Sequence, residues 1–193
     1  MPNIETIKYL STNEVEKLIS KIINSRDKAL FSLMYLYGLR CSEVVRLKVS
    51  DIRLQDNRIN ILASKGGLKG EHVINPSQVK ELAKYLKERE KSKSVSNALF
   101  LSRKNDHLST TQVYRLFKVY AIKAKLSKDK QHPHVLRHSI AVHMAESEVP
   151  VEHVRLHLRH REIKSTMVYF EITDPSRHRF QAKALSGEFV AKI

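Results

Sequence analysis

The stretch His132-Pro133-His134-Val135-Leu136-Arg137-His138 decides how the rest of the chain is read. Proline at a helix start has its φ already set and gives up no helical hydrogen bond, so Pro133 marks a beginning. From there to Ser147, the residues Leu136, Ile140, His143 and Met144 recur at helical spacing and predict a helix with one packed stripe. His134, Arg137 and Ala141 fall on a neighbouring face, with His138 beside them. A guanidinium and two imidazoles near a helix start, where free N–H groups carry positive partial charge, form a receptor for an anion. A basic amphipathic helix with a solvated face accounts for this stretch equally well. Other segments must decide.

The 193 residues are enough for one domain with a real core. A formal charge of +15 and a pI near 9.9 point to a polyanionic partner, most often nucleic acid. A basic ribosome-associated protein, or one that is merely very soluble, is the alternative on charge alone. Cys41 is the single cysteine, which excludes a disulfide framework and a cysteine-based zinc site. No apolar run is long enough to span a membrane, and Met1 to Leu10 lacks the features of a signal peptide. The expectation is a soluble, cytoplasmic protein.

Before the opening stretch, helices are predicted from Ser11, where Ser11-x-x-Glu14 reads as a capping box, and over Arg26 to Tyr37, which is apolar on most sides. Gly38 ends the second helix, Arg40 follows, and Ser42 is the expected cap of a short helix containing Glu43. An arginine directly after the most hydrophobic helix is costly to bury alone, and Glu43 is the nearest group to orient it. Arg58 to Ala63 and His72 to Ile74 read as strands of a hairpin whose tip carries Lys65 and Lys69 among three glycines. That tip fails the P-loop pattern. Ser77 to Ser92 reads as a lysine-rich helix, and Ser109-x-x-Gln112 caps another running to about Lys125. Arg115, Lys118 and Lys123 lie off its apolar stripe, so this helix suits a major groove. After the opening helix come a short helix from Val151 to Leu158, a turn at 159–162, a short element presenting Tyr169, and a last helix from Asp174-Pro175. These segments predict an α+β chain, mainly α-helical, with a small antiparallel hairpin.

The cationic and hydrogen-bonding candidates are Arg40, Lys65, His134, Arg137 and His160, and Tyr169 is the late nucleophile candidate. Two arginines can grip the nonbridging oxygens of one phosphodiester and neutralise the charge that grows during displacement. A phenol of ordinary pKa near 10 needs a base or a cationic setting, and His134 is placed to serve as that base while Lys65 protonates the departing sugar oxygen. No carboxylate cluster suggests magnesium and no nucleotide cradle appears, so a transesterification without metal or cofactor is favoured.

These motifs together resemble the catalytic domain of the tyrosine recombinase (phage integrase) family. The resemblance rests on Tyr37-Gly38-Leu39-Arg40-Cys41-Ser42-Glu43-Val44-Val45-Arg46-Leu47, on Lys65, on His134-Val135-Leu136-Arg137-His138, on His160 and on Tyr169. His160 follows Arg137 by 23 residues and Tyr169 follows His160 by 9, both usual for the family. It covers about residues 8 to 175. It implies a DNA strand-exchange enzyme forming a 3′-phosphotyrosyl link, with double-stranded DNA and further protomers in a tetrameric synapse as partners, working at the nucleoid. It also implies that the helix from Thr110 lies in the major groove, with Thr111, Arg115 and Lys69 toward DNA and with Glu43 and His138 supporting the catalytic set. The tail helix at 176–193 is expected to dock on a neighbouring protomer, within a single domain of residues 1–193.

Three features depart from the family pattern. Leu158-Arg159-His160 stands where members usually have Leu-Gly-His, and arginine takes a left-handed backbone less readily than glycine. Lys69 competes with Lys65 for the acid role, although Lys65 better matches the family's Lys-Gly step. The N-terminal helical domain of most members has no counterpart, as expected of a catalytic fragment or of short members such as the fimbrial-switch invertases. The competing readings are a DNA-binding protein without turnover, a relaxing topoisomerase of the same chemistry, a metal protein using the i, i+4 pairs His134/His138 and His153/His157, and a Cys41 hydrolase.

Overall fold

Local signals start most of the elements where the sequence places them. In the computed structural model, which describes residues 7–62, 68 and 70–173, the Ser11 hydroxyl accepts the Glu14 N–H while the Glu14 carboxylate accepts that of Ser11. This reciprocal cap opens α1 (Thr12–Ser20). The Asn24 side chain caps α2 (Ser25–Leu36), and Arg40, not Ser42, precedes the short α3 (Cys41–Val44). The shift in α3 has a clear cause: the Glu43 carboxylate accepts the Arg40 backbone N–H at 2.9 Å, which sets the helix start two residues earlier.

A three-stranded antiparallel sheet follows, of β1 (Ile52–Arg53), β2 (Arg58–Ile61) and β3 (Gly70–Val73), with Ile52 opposite Ile59 and Ile59 opposite His72. Only the β2–β3 hairpin was expected; β1 is two residues long, too short to leave a pattern. Lys65 and Lys69 lie outside the described residues, as does the 176–193 tail. Then come α4 (Pro76–Glu90), α5 (Thr110–Lys123, with the predicted Ser109/Gln112 box), α6 (His134–Glu146), α7 (Val151–His157) and α8 (Lys164–Thr173). The described chain is thus mainly helical with one small sheet, the α+β class expected.

Two apolar clusters organise these elements. The larger one takes Leu30, Phe31, Leu33 and Met34 of α2, Leu82 of α4 and Val113 and Phe117 of α5, with the inner isoleucines of the sheet. α2 is enclosed from several sides, which is why it is apolar nearly all round. Phe31 meets Phe117 and Tyr120 edge-on at 5.5 and 6.1 Å, and the Tyr120 hydroxyl donates to the buried Asp27 carboxylate at 2.8 Å. The smaller cluster joins Ala141 and Val142 of α6, Val154 of α7 and Val168 and Tyr169 of α8. α6 spans both, since Val135 and Leu136 at its start belong to the larger one. The chain before α1 is tied to the same helix: Leu10 N–H donates to Ser139 Oγ at 2.8 Å, and His143 Nε2 donates to the Leu10 carbonyl at 3.0 Å. The helix that begins at His134 is therefore the seam of the molecule.

Candidate active site

Two helix ends build the floor of the site. α2 and α7 both close with a left-handed residue, Gly38 at φ 56° and Arg159 at φ 57°. In each case the next N–H reaches back five residues, from Leu39 to the Met34 carbonyl and from His160 to the Arg155 carbonyl, both 3.0 Å. Gly38 admits no side chain, because a Cβ there would stand 2.5 Å from Leu158 Cδ2. The carbonyls that helix ends leave unsatisfied, and the negative end of each dipole, face inward together.

Arg137 fills that floor. Its guanidinium donates to the Gly38 carbonyl and, at 2.6 Å, to the Leu158 carbonyl. The side chain is 1% exposed, yet arginine has five N–H donors and these bonds engage only part of the fork. Arg40 reaches the same place from α3 and donates to Glu43 Oε1 at 2.9 Å, with about a third of its side chain exposed. Arg137 Nη1 lies 3.9 Å from Glu43 Oε2, so the two arginines converge on a single carboxylate, as the phosphate reading requires. Burial pushes the Glu43 carboxyl up, but Arg159, the Arg40 N–H, Arg137 and Arg40 outweigh it and hold it below the usual carboxylate range.

The histidines and the tyrosine surround this cluster. His160 Nδ1 is 2.8 Å from Thr166 Oγ1 in a fully packed contact. Burial first, then Arg137, Arg40 and Arg159, bring His160 down to about 3. His134 is lowered to about 4 by burial and by Arg137 and Arg40, and its ring stands edge-on to His138 with centroids 4.6 Å apart. Tyr169 is 3% exposed, and its hydroxyl lies 2.9 Å from His138 Nδ1. Burial, then His134, His132 and Arg137, lower His138 to about 3, which keeps the imidazole beside the phenol neutral. Burial raises the Tyr169 pKa while Arg137 and Arg40 oppose it, which leaves the phenol protonated at rest.

Of the residues named from sequence, Arg40, Glu43, His134, Arg137, His138, His160 and Tyr169 come together. The ring that meets the phenol is His138, where the sequence pointed to His134. α8 packs on the middle of α6, one turn beyond its first residue, so the fourth residue on reaches Tyr169. Thr111 and Arg115 are not among them: both are exposed on α5, and Arg115 lines a cleft of about 440 Å³ with Arg103, Lys104 and Gln112. The His134/His138 and His153/His157 pairs gain no third ligand: among the described residues no three His, Cys, Asp or Glu gather as a metal site. Burial takes the Cys41 thiol up to about 12, unlike an activated nucleophile. Sequence reasoning missed Arg159 as a participant. Its guanidinium donates to Glu43 Oε2 at 3.1 Å, to the Tyr37 and His157 carbonyls at 3.0 and 2.7 Å, and to His72 Nε2 at 3.2 Å. The only advance signal was a side chain standing at a helix-ending position that favours glycine.

The model of the phage integrase family matches residues 8–175. The chain belongs to this family. Among relatives of this phage integrase family protein, tyrosine recombinase XerA of Pyrococcus horikoshii is 34% identical over 169 residues, covering 86% of this chain and 57% of XerA. The type 1 fimbriae regulatory protein FimE of Escherichia coli is 30% identical over 168 residues, covering 84% of each. The chain therefore spans little more than half of the former and most of the latter. The crystal structure of XerA recombinase superposes with a TM-score of 0.80 at 28% identity, over 95% of this chain and 65% of that one. XerH bound to its palindromic difH substrate gives the same TM-score at 23% identity, over 94% of this chain and 54% of that one, a likeness of fold. No described helix is long and apolar enough to cross a membrane.

Proposed function

We propose that this protein is a site-specific DNA recombinase that cuts and rejoins strands through a covalent 3′-phosphotyrosyl intermediate. The observation that carries the reading is the convergence of Arg40 and Arg137 on one carboxylate, with the Tyr169 phenol hydrogen-bonded in the same cluster. A scissile phosphate enters on the side of Arg40, the more exposed arginine, and meets the remaining N–H groups of Arg137. Its charge raises the pKa of neighbouring imidazoles, which makes His138 a better base at the moment the base is needed. Tyr169 Oη attacks phosphorus, the bond from phosphorus to the 5′ oxygen breaks, and the phenol proton passes to His138. Lys65, which lies between β2 and β3 in the sequence, supplies a proton to the departing 5′ oxygen. His160, steadied by Thr166, donates a hydrogen bond to a nonbridging oxygen. Attack by a 5′ hydroxyl on the phosphotyrosine reverses each step and reseals the strand. Charge is met by guanidiniums and the bond energy is kept, so neither metal nor nucleotide is needed.

The partner is double-stranded DNA, in keeping with the +15 charge and with neighbours such as XerH whose structures contain their DNA substrate. α5 is assigned to the major groove through Thr111 and Arg115, and Lys69 to the DNA backbone. Recombination pairs several protomers, with residues 176–193 docking on a neighbour, at the nucleoid of the cytoplasm. The test is a nicked suicide duplex. Wild type accumulates a covalent adduct, also in EDTA, and Tyr169→Phe forms none while binding DNA with nearly unchanged affinity. Undiminished adduct in that variant removes Tyr169 from the mechanism, and no adduct from wild type favours a DNA-binding protein without turnover.

A further inference from the structure

Glu43 sits among three guanidiniums, one more than a grip on a single phosphate needs. Its carboxylate is fully buried: Oε1 accepts from Arg40, and Oε2 accepts from the Arg40 backbone N–H and from Arg159 Nη2 at 3.1 Å. Arg137 Nη1, on the same oxygen's side, stays at 3.9 Å, an ion-pair separation outside hydrogen-bond range. The Arg159 side chain has no exposure of its own. Its fork is held from behind by the Tyr37 and His157 carbonyls and by His72 Nε2. Because a guanidinium only donates, that last bond fixes the His72 tautomer with its proton on Nδ1.

Local backbone preference does not account for this side chain. Arg159 holds a left-handed backbone that glycine would adopt without strain. It also buries an Nε–H that finds no acceptor among the described residues, and removing a guanidinium from water is costly. A glycine at 159 would avoid both penalties. What glycine would not do is occupy Glu43 Oε2. Without Arg159, Oε2 keeps only the Arg40 backbone N–H, and the guanidinium beside that oxygen not yet bonded to Glu43 is Arg137 at 3.9 Å, which a buried carboxylate draws in.

We infer that Arg159 is a positioning residue for strand cleavage: by satisfying Glu43 from inside the protein, it leaves the free N–H groups of Arg137 turned toward the scissile phosphate. The inference rests on the recombinase reading above and adds a third arginine to it, one that never touches the substrate.

The test compares wild type, Arg159→Gly and Arg159→Lys on suicide duplexes whose scissile linkage is either a phosphodiester or an uncharged methylphosphonate. Arg159→Gly melts lower than wild type, since Glu43 and two buried carbonyls lose a donor, but the folded variant binds DNA about as well and, per folded molecule, forms adduct on the order of 10-fold to 100-fold more slowly on the phosphodiester. On the methylphosphonate, where there is less charge for Arg137 to neutralise, the deficit shrinks to within about 3-fold. Arg159→Lys, which keeps a donor for Glu43, recovers most of the rate; if the glycine variant is unstable, Arg159→Met, which fills the space and donates nothing, supplies the same comparison. A glycine variant as fast as wild type overturns the assignment. So does an equal loss on both substrates, which would mean a loosened pocket and no effect on charge. Absence of adduct from wild type on either substrate is a different result: it takes down the recombinase reading, and the role of Arg159 with it.

Discussion

The two halves of this molecule are held by different forces. Around α2, α4 and α5 the contacts are apolar and numerous, and Phe31, Leu33 and Phe117 are wholly buried there. Where α2, α3, α6 and α7 meet, the interior is ionic: Glu43, Arg137 and Arg159 are each almost completely buried. Apolar burial is non-directional and tolerates neighbours of similar volume. The ionic half depends on a few aimed bonds, and each charge removed leaves a partner uncompensated. The first region should therefore respond to mutation in stability and the second in chemistry.

The largest expected effect tests that division directly. Phe31→Ala removes a ring packed on Phe117 and Tyr120 and should cost about 3–5 kcal/mol of unfolding free energy, read by urea denaturation. Adduct formation per folded molecule should stay within a few-fold of wild type. A specific activity that falls with stability would merge the two regions into one. Arg137→Ala is the converse case. It should slow cleavage by about 10²–10³-fold, near 3–4 kcal/mol of barrier, while DNA affinity measured by gel shift changes far less. A loss confined to affinity would place Arg137 among ordinary phosphate contacts.

Acid should act on the ionic half first. His72 and His134 are lowered to about 4, and His138 and His160 to about 3, in each case mainly by burial. The unfolded chain binds protons at these sites near pH 6.5 while the folded one does not. Stability from the neutral rings is thus fully present above 6.5 and lost as pH falls toward 4 for His72 and His134 and toward 3 for His138 and His160, by on the order of 3 kcal/mol per ring. Urea midpoints measured from pH 7 to 4.5 should decline steeply, and a flat profile would mean that the four rings are not held neutral. The smallest effect belongs to a local signal: Ser11→Ala removes half of the α1 capping box and should cost about 1 kcal/mol, seen as a lower midpoint with unaltered cleavage.

What could be read from the letters follows the same division. Ser11-x-x-Glu14 and Ser109-x-x-Gln112 foretold two helix starts because capping acts across three residues. Gly38 foretold the end of α2 for the same local reason. The α3 start moved because Glu43, assigned only to Arg40's side chain, also takes its backbone N–H. His138 replaced His134 beside the phenol because the placement of α8 along α6 is set by packing, which leaves no mark on either segment alone.

The sequence by itself determined the class of fold, the helix that begins at His134, and most of the polar side chains of the site, since periodicity, caps and charged residue types are properties of short segments. Tertiary structure alone decided that two helix ends would face each other and share their carbonyls with Arg137 and Arg159. Arg159 donates to a carboxylate 116 residues away, and Arg137 to a carbonyl 99 residues away. Bonds of that reach depend on where the apolar halves of α2, α6 and α7 come to rest, so the identity of the donor was visible in the chain and its acceptor was not.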